Sequence, residues 1–228
     1  LVTRGHGRLM AAQLDDLTGT ELEAAETALF RQAIMESVRA TMWLGKTARE
    51  EGLNTFDGFL HRILSDAEEQ EIPTEMYESV SADNADERLR SVWDNASEEL
   101  RNMRSEGQLA FFVTTDVYGA YEDSLEVADN EAAYRVRQDG PGSLMFKGIP
   151  VIDMKLGGYL AKYYDLGVSF ILLTDRRNLA LALNTGDFPG SEVRMWYNPD
   201  LMENRQRAIF MAGCDYLLPE LVSLGYAQ

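Results

Sequence analysis

Asp175-Arg176-Arg177 and Asp187 come nearest to chemistry in this 228-residue chain. A carboxylate at a strand end suits a metal-dependent hydrolase, and adjacent guanidiniums can grip a phosphate through paired hydrogen bonds. The Asp-Arg-Arg run lies between two apolar β-type stretches, so a charged hairpin tip is the expectation for it. The acid pairs Asp15-Asp16, Glu68-Glu69, Glu98-Glu99 and Glu122-Asp123 could hold Mg²⁺ or serve a carboxylate mechanism. Adjacent helical residues point in different directions, however, so these pairs read as solvated faces. Cys214 is the one cysteine and His6 and His61 the two histidines, too few and too separated for a zinc site of nitrogen and sulfur ligands. Cys214 reads as a small buried thiol, and His61 as a partly exposed residue of a short helix. Trp43, Trp93 and Trp196 are the residue type that anchors subunit contacts, yet each sits on an apolar stripe or strand and is expected in the core.

Phosphate-loop, dinucleotide-fingerprint, nucleophile-elbow and HExxH patterns do not occur. The sequence therefore assigns no catalytic, cofactor-binding or metal-ligating residue, and the expectation is a protein that is not an enzyme. A net charge of −17, from 38 acids and 21 bases, argues against general nucleic-acid binding, which needs clustered Lys and Arg. The lone cysteine excludes an intrachain disulfide. No window approaches the roughly 20 apolar residues of a membrane span. The opening Leu1-Val2-Thr3-Arg4 lacks the marks of a secretory leader and is expected to be a trimmed or incomplete terminus.

The elements that must position these residues follow from periodicity. Residues 20–45 predict a long amphipathic helix, with Thr20 and Glu23 as a capping box and Leu22, Leu29, Phe30, Ala33, Ile34, Val38 and Met42 on one stripe facing the body. Gly45 is expected to end it in a left-handed turn. Phe56, Phe59, Leu60, Ile63 and Leu64 mark a shorter helix. Residues 66–106 carry 13 acids and four arginines. They still hold an apolar helical stripe of Leu89, Val92, Trp93, Ala96, Leu100 and Met103, broken from what precedes at Pro73 and started by Asp83 or Asn84. Residues 109–114 predict a buried strand, and Asp116 a cap for the helix of Val117, Tyr118, Tyr121 and Leu125.

Strands dominate from there on, at 144–146, 149–152, 170–174, 179–183, 193–197, 205–216 and 221–226, with Pro219 separating the last two. Asp139-Gly140-Pro141-Gly142 is a turn signal. Lys147-Gly148-Ile149-Pro150 reads as a kinked strand or bulge, and Asn184-Thr185-Gly186-Asp187 as a loop. The fold class is α+β, as an interleaved body without a clear linker.

Several segments in order carry a resemblance. Met42-Trp43-Leu44-Gly45-Lys46-Thr47-Ala48 followed by Leu53-Asn54-Thr55-Phe56-Asp57-Gly58-Phe59 resembles a stretch of tailed-phage major capsid proteins in which one helix ends and the next begins. Phe111-Phe112-Val113-Thr114-Thr115-Asp116-Val117-Tyr118 with Tyr121-Glu122-Asp123-Ser124-Leu125 is similar to their next strand and helix. Met145-Phe146-Lys147-Gly148-Ile149-Pro150-Val151-Ile152 is similar to their hairpin, and Asn178-Leu179-Ala180-Leu181 with Gly186-Asp187 to a late strand and loop. The match runs through most of residues 21–227, and the family it resembles is the Hong Kong 97-type capsid proteins.

That resemblance implies a Hong Kong 97-like capsid fold, with a long spine helix, a peripheral domain and an axial domain of mixed sheet and helices. It divides the chain into an N-terminal segment (1–19), spine helix and peripheral part (20–65), mainly axial domain (66–195) and return strands of the peripheral domain (196–228). It also implies an icosahedral, virion-located shell protein assembled in the bacterial host cytoplasm from hexamers and pentamers of itself. Its further partners would be a portal, decoration or scaffolding proteins, and packaged DNA held without sequence specificity; no cofactor, metal or membrane is implied. Family members carry an N-terminal arm and a β-hairpin arm before the spine helix, and some join subunits through a Lys to Asn bond. Only 19 residues precede Thr20, so those arms are expected to be removed or lacking, and no residue here matches the cross-linking lysine. The alternatives are a nanocompartment shell of the same fold, a carboxylate or metal-dependent hydrolase using Asp175 or Asp187, and a binding module whose acidic segment recruits a basic partner.

Overall fold

The structure, a computed structural model, describes residues 16–69, 71–127, 144–163, 169–184 and 193–227. His6, Asp15, the 139–142 turn signal and residues 185–187 with Asp187 lie outside the described residues. Thr20 starts helix α1 (Glu21–Leu44): its Oγ1 accepts from the Glu23 amide at 3.2 Å, and the Glu23 carboxylate accepts in return from the Gly19 amide. The expected capping box is present, with its return arm one residue further out. Only the last turns of α1 are buried, at Val38, Ala40, Thr41, Trp43 and Leu44. Leu22, Leu29 and Met35 are exposed, so the expectation of one stripe facing the body holds for the C-terminal third alone.

Gly45 does not end α1 in a left-handed turn; its φ is −59° and ψ 144°. It is required for another reason. A Cβ at Gly45 would lie 2.2 Å from the Phe56 carbonyl oxygen, and one at Gly58 would lie 2.6 Å from that of Thr41. The two glycines let the end of α1 and the start of helix α2 (Phe59–Asp66) touch backbone to backbone, with the Gly58 amide donating to the Gly45 carbonyl at 2.9 Å. Asp57 closes the intervening loop by accepting from the Thr47 amide and hydroxyl at 2.8 and 2.9 Å.

The central sheet has the order β1-β10-β5-β2-β4-β3, formed by β1 (Thr74–Met76), β2 (Leu109–Val113), β3 (Leu144–Phe146), β4 (Ile149–Asp153), β5 (Ser169–Asp175) and β10 (Val222–Ala227). β1 runs parallel to β10 and β2 parallel to β4; the other pairings are antiparallel. β5 is buried along its whole length. Its alternate residues feed two cores: Ile171 and Leu173 join Phe111, Val113, Leu89 and Val117 on one face, while Phe170 and Leu172 join Trp43, Phe59, Ile63 and Leu224 on the other. A sheet covered on both faces explains why this strand reads as an uninterrupted apolar run.

Helices α3 (Ala85–Asn95) and α4 (Glu98–Asn102) lie within the acidic stretch, and α5 (Thr115–Val127) follows β2. The single apolar helical stripe expected through residues 89–103 is broken at Ala96. Ser97 caps a new helix there, its Oγ accepting from the Leu100 amide at 3.0 Å and donating to the Glu220 carbonyl at 2.6 Å. Glu98 and Glu99 then fall in the first turn of α4, where the helix dipole favours acids. Asp116 likewise stands inside the first turn of α5 and is not its cap. β1 has no counterpart in the sequence reading, being three residues long with only Glu75 partly covered.

Lys147 and Gly148 form a tight two-residue hairpin turn between β3 and β4, with φ of 51° and 79°. No bulge is needed, and β2 joins β4 only from Val151 on, one residue past Pro150. Helix α6 (Gly157–Tyr163) follows. The stretch 205–216, read as one strand, is two: β8 (Glu203–Arg207) pairs with β7 (Arg194–Asn198), and β9 (Ala212–Tyr216) pairs with β6 (Leu179–Leu183). The β6–β9 ribbon leans on α2, with the Tyr216 hydroxyl donating to Asp66 at 2.9 Å. No helix among the described residues is long and apolar enough to cross a membrane.

Candidate functional site

Asp175 and Arg177 sit where β5 leaves the central sheet. They are not a hairpin tip, because β5 and β6 belong to different sheets and a short 3₁₀ turn, Arg176–Asn178, joins them. Arg177 closes on the buried Asp175 carboxylate, with Nε at 3.0 Å and an Nη at 2.7 Å from its oxygens, and the Arg177 amide adds a third bond at 2.7 Å. The same guanidinium donates to Glu106 at 2.6 Å. These bonds from Arg177 hold the Asp175 carboxyl below its ordinary pKa. Asn178 then spans the junction: its side-chain oxygen accepts from the Leu217 and Leu218 amides, and its amide donates to the Leu218 carbonyl at 3.0 Å.

This cluster is a clasp between the central sheet and the end of the β6–β9 ribbon. Asp175's oxygens are spent on its own turn, which leaves it poorly placed to bind a metal or attack a substrate. Among the described residues no group of three or more His, Cys, Asp and Glu side chains converges as a metal site would require. Glu68, Glu69, Glu98 and Glu99 are exposed. His61 is partly exposed, its Nε2 3.9 Å from Asp57. Cys214 is buried with Sγ 3.5 and 3.4 Å from the Met42 and Asp57 carbonyls, and burial pushes its thiol up to about 11.

The three tryptophans separate. Trp43 is core, against the rings of Phe59, Phe112 and Phe170. Trp93 is half-buried beneath Lys147 and Arg104. Trp196 is 41% exposed on β7, against the expectation of burial. Among the described residues further large apolar side chains stand open on two elements, Leu22, Leu29 and Met35 on α1, and Leu201, Met202, Ile209 and Met211 after β7. The start of α1 is tied to the β7–β8 ribbon, since the Leu17 amide donates to Asn204 on β8 at 3.1 Å. Apolar surface of this kind marks contact sites between proteins. Sequence reasoning passed over Arg194, Arg205 and Arg207 on this ribbon, although three arginines around one tryptophan in so acidic a chain were a signal.

Comparison with known proteins bears on the fold. A chain of the structure "Satellite phage P4 procapsid including size determination (Sid) protein" aligns over 92% of this chain and 64% of its own length, at 10% identity and a TM-score of 0.54. The chain therefore has a fold found in a phage procapsid. A chain from Mycobacterium phage Che8 aligns over 74% of this chain and 57% of its own, at 12% identity and a TM-score of 0.42, too distant to carry an argument. This chain spans less than two thirds of the length of either. No family model and no curated protein matches the sequence.

Proposed function

We propose that this chain is a major capsid subunit of the Hong Kong 97 type, a structural protein without enzymatic activity that self-assembles into an icosahedral phage head. The observation that carries the reading is the fold shared with a procapsid chain across 92% of the sequence. Two features of the molecule support it. Its motif segments have structural work to do, Gly45 and Gly58 at the helix crossing and Lys147-Gly148 at the hairpin turn, and its open apolar surface suits contact with further copies.

In this reading α1 is the spine helix and the central sheet with α3 and α5 is the body of the axial domain, which takes β10 from the 196–228 segment because it pairs with β5. The β6–β9 and β7–β8 ribbons lie with the peripheral domain and take β6 and the start of β7 from the 66–195 segment. Copies arranged in hexamers and pentamers enclose DNA in a virion built in the host cytoplasm, joined by a portal and by scaffolding or decoration proteins. The net charge of −17 lets packaged DNA lie against the wall without adhering. The test is expression of the full-length gene followed by light scattering and negative-stain imaging. Closed particles of megadalton mass are expected. A monomer under every condition contradicts the proposal, and particles that enclose a protein cargo in place of DNA convert it to a nanocompartment.

A further inference from the structure

The outer face of the β7–β8 ribbon is an arginine surface inside an acidic protein. Register places Arg194 directly opposite Arg207 and Trp196 opposite Arg205, all exposed, while Met195 and Tyr197 pair with Gln206 and Asn204 on the inner face. Like charges directly opposite each other destabilise a two-stranded ribbon. Nothing within the described chain relieves this: neither the Arg194 nor the Arg207 side chain has a hydrogen bond or ion pair among the described residues. The one acid of the two strands, Glu203, is engaged by Arg205 at 2.6 Å. The pair borders an open cleft of about 510 Å³ shared with Met195, Trp196 and Ile209. Such a face retains a folding cost that a ligand of opposite charge would remove.

We infer that this face docks a carboxylate-bearing surface of a second copy of the chain. The composition selects protein over nucleic acid, since Arg, Trp and Met without any lysine through residues 193–218 is the make-up of protein interfaces. A chain of net charge −17 also repels a phosphate polymer while supplying acidic surface to its own kind, with 13 acids against four arginines in residues 66–106. The contact joins two different faces, because arginine against arginine would repel. A contact of that kind runs head to tail and makes a ring where the rotation between copies closes, which suits the hexamers and pentamers of the proposed function, on which this inference rests.

The experiment compares self-association of the full chain by light scattering, at low and high salt, for wild type, Arg194→Glu, Arg194→Glu/Arg207→Glu and the charge-matched control Lys46→Glu/Lys155→Glu. Wild-type association weakens with salt, the ribbon variants lose about tenfold or more in association constant, and the control does not. Arg194→Glu replaces a cross-strand repulsion by an attraction, so its thermal midpoint stays level or rises while association falls. Unchanged association in the ribbon variants, equal loss in the control, or a drop in midpoint that matches the lost association overturns the inference. So does wild-type binding to a labelled DNA duplex that the double variant loses. Particles formed equally by wild type and ribbon variants overturn this inference and leave the capsid reading intact, whereas a wild type that never associates removes both.

Discussion

Arg177 keeps a buried carboxylate paired, and its removal separates the cost of a lost bond from the cost of an orphaned charge. Arg177→Ala leaves the Asp175 carboxylate in its buried seat with the residue 177 amide but without its ion-pair partner, and is expected to lower stability. Asp175→Asn, which removes the charge as well, should cost less; urea unfolding midpoints distinguish the two. Because the folded-state pKa of Asp175 lies below its unfolded value of about 3.9, the clasp stabilises above that pH and loses its contribution as pH falls through the lower folded value. Acid titration of Arg177→Ala should therefore show a shallower loss of stability than wild type. Cys214, with its thiol at about 11, stays protonated near neutrality and should react with a thiol reagent only after unfolding. Rapid labelling of the native protein would contradict the buried placement.

Elements meet here through glycine, and the glycines differ in what they permit. Gly45→Ala forces a methyl group against two backbone carbonyls and should cost about 3 kcal/mol or more, since neither carbonyl can turn away without breaking the α1–α2 crossing. Gly119→Ala, in the middle of α5 with open space around it, should stabilise by about 0.5–1 kcal/mol. Thermal unfolding of the two variants in opposite directions is the check. The sequence showed that Gly45 ended a helix but not why, because the reason is a contact with residues 56–58 and not a local dihedral. The apolar runs at 144–146 and 170–174 were legible as strands because burial makes them apolar, whereas 179–183 was legible from its Leu and Ala run although it is only half-buried. The break at Ser97, the short β1 and the division of 205–216 between two sheets were not, because a cap, an edge pairing and a partner choice depend on residues far along the chain. Along α1 the periodicity of Leu22 to Met42 revealed an apolar stripe without saying what covers it.

At the scale of the molecule, the exposed half of α1 and the outer face of the β7–β8 ribbon are surfaces that the cores of the monomer do not cover. Leu29→Glu should change the stability of the isolated subunit by no more than about 0.5 kcal/mol, since Leu29 is 66% exposed, yet it should impair assembly. An equal loss of stability would place Leu29 in a core the structure does not contain. The site was less legible than the fold: the chemistry suggested by Asp175 dissolved into a clasp, while the arginines that form the surface of interest carried no catalytic pattern. Self-assembly is the central claim of the proposed function, and the fold shared with a procapsid chain is what supports it. The most direct test is the mass of what the full-length gene product forms in solution, measured by light scattering. The account predicts closed particles of megadalton mass; a protein that stays monomeric at every concentration and salt would contradict it.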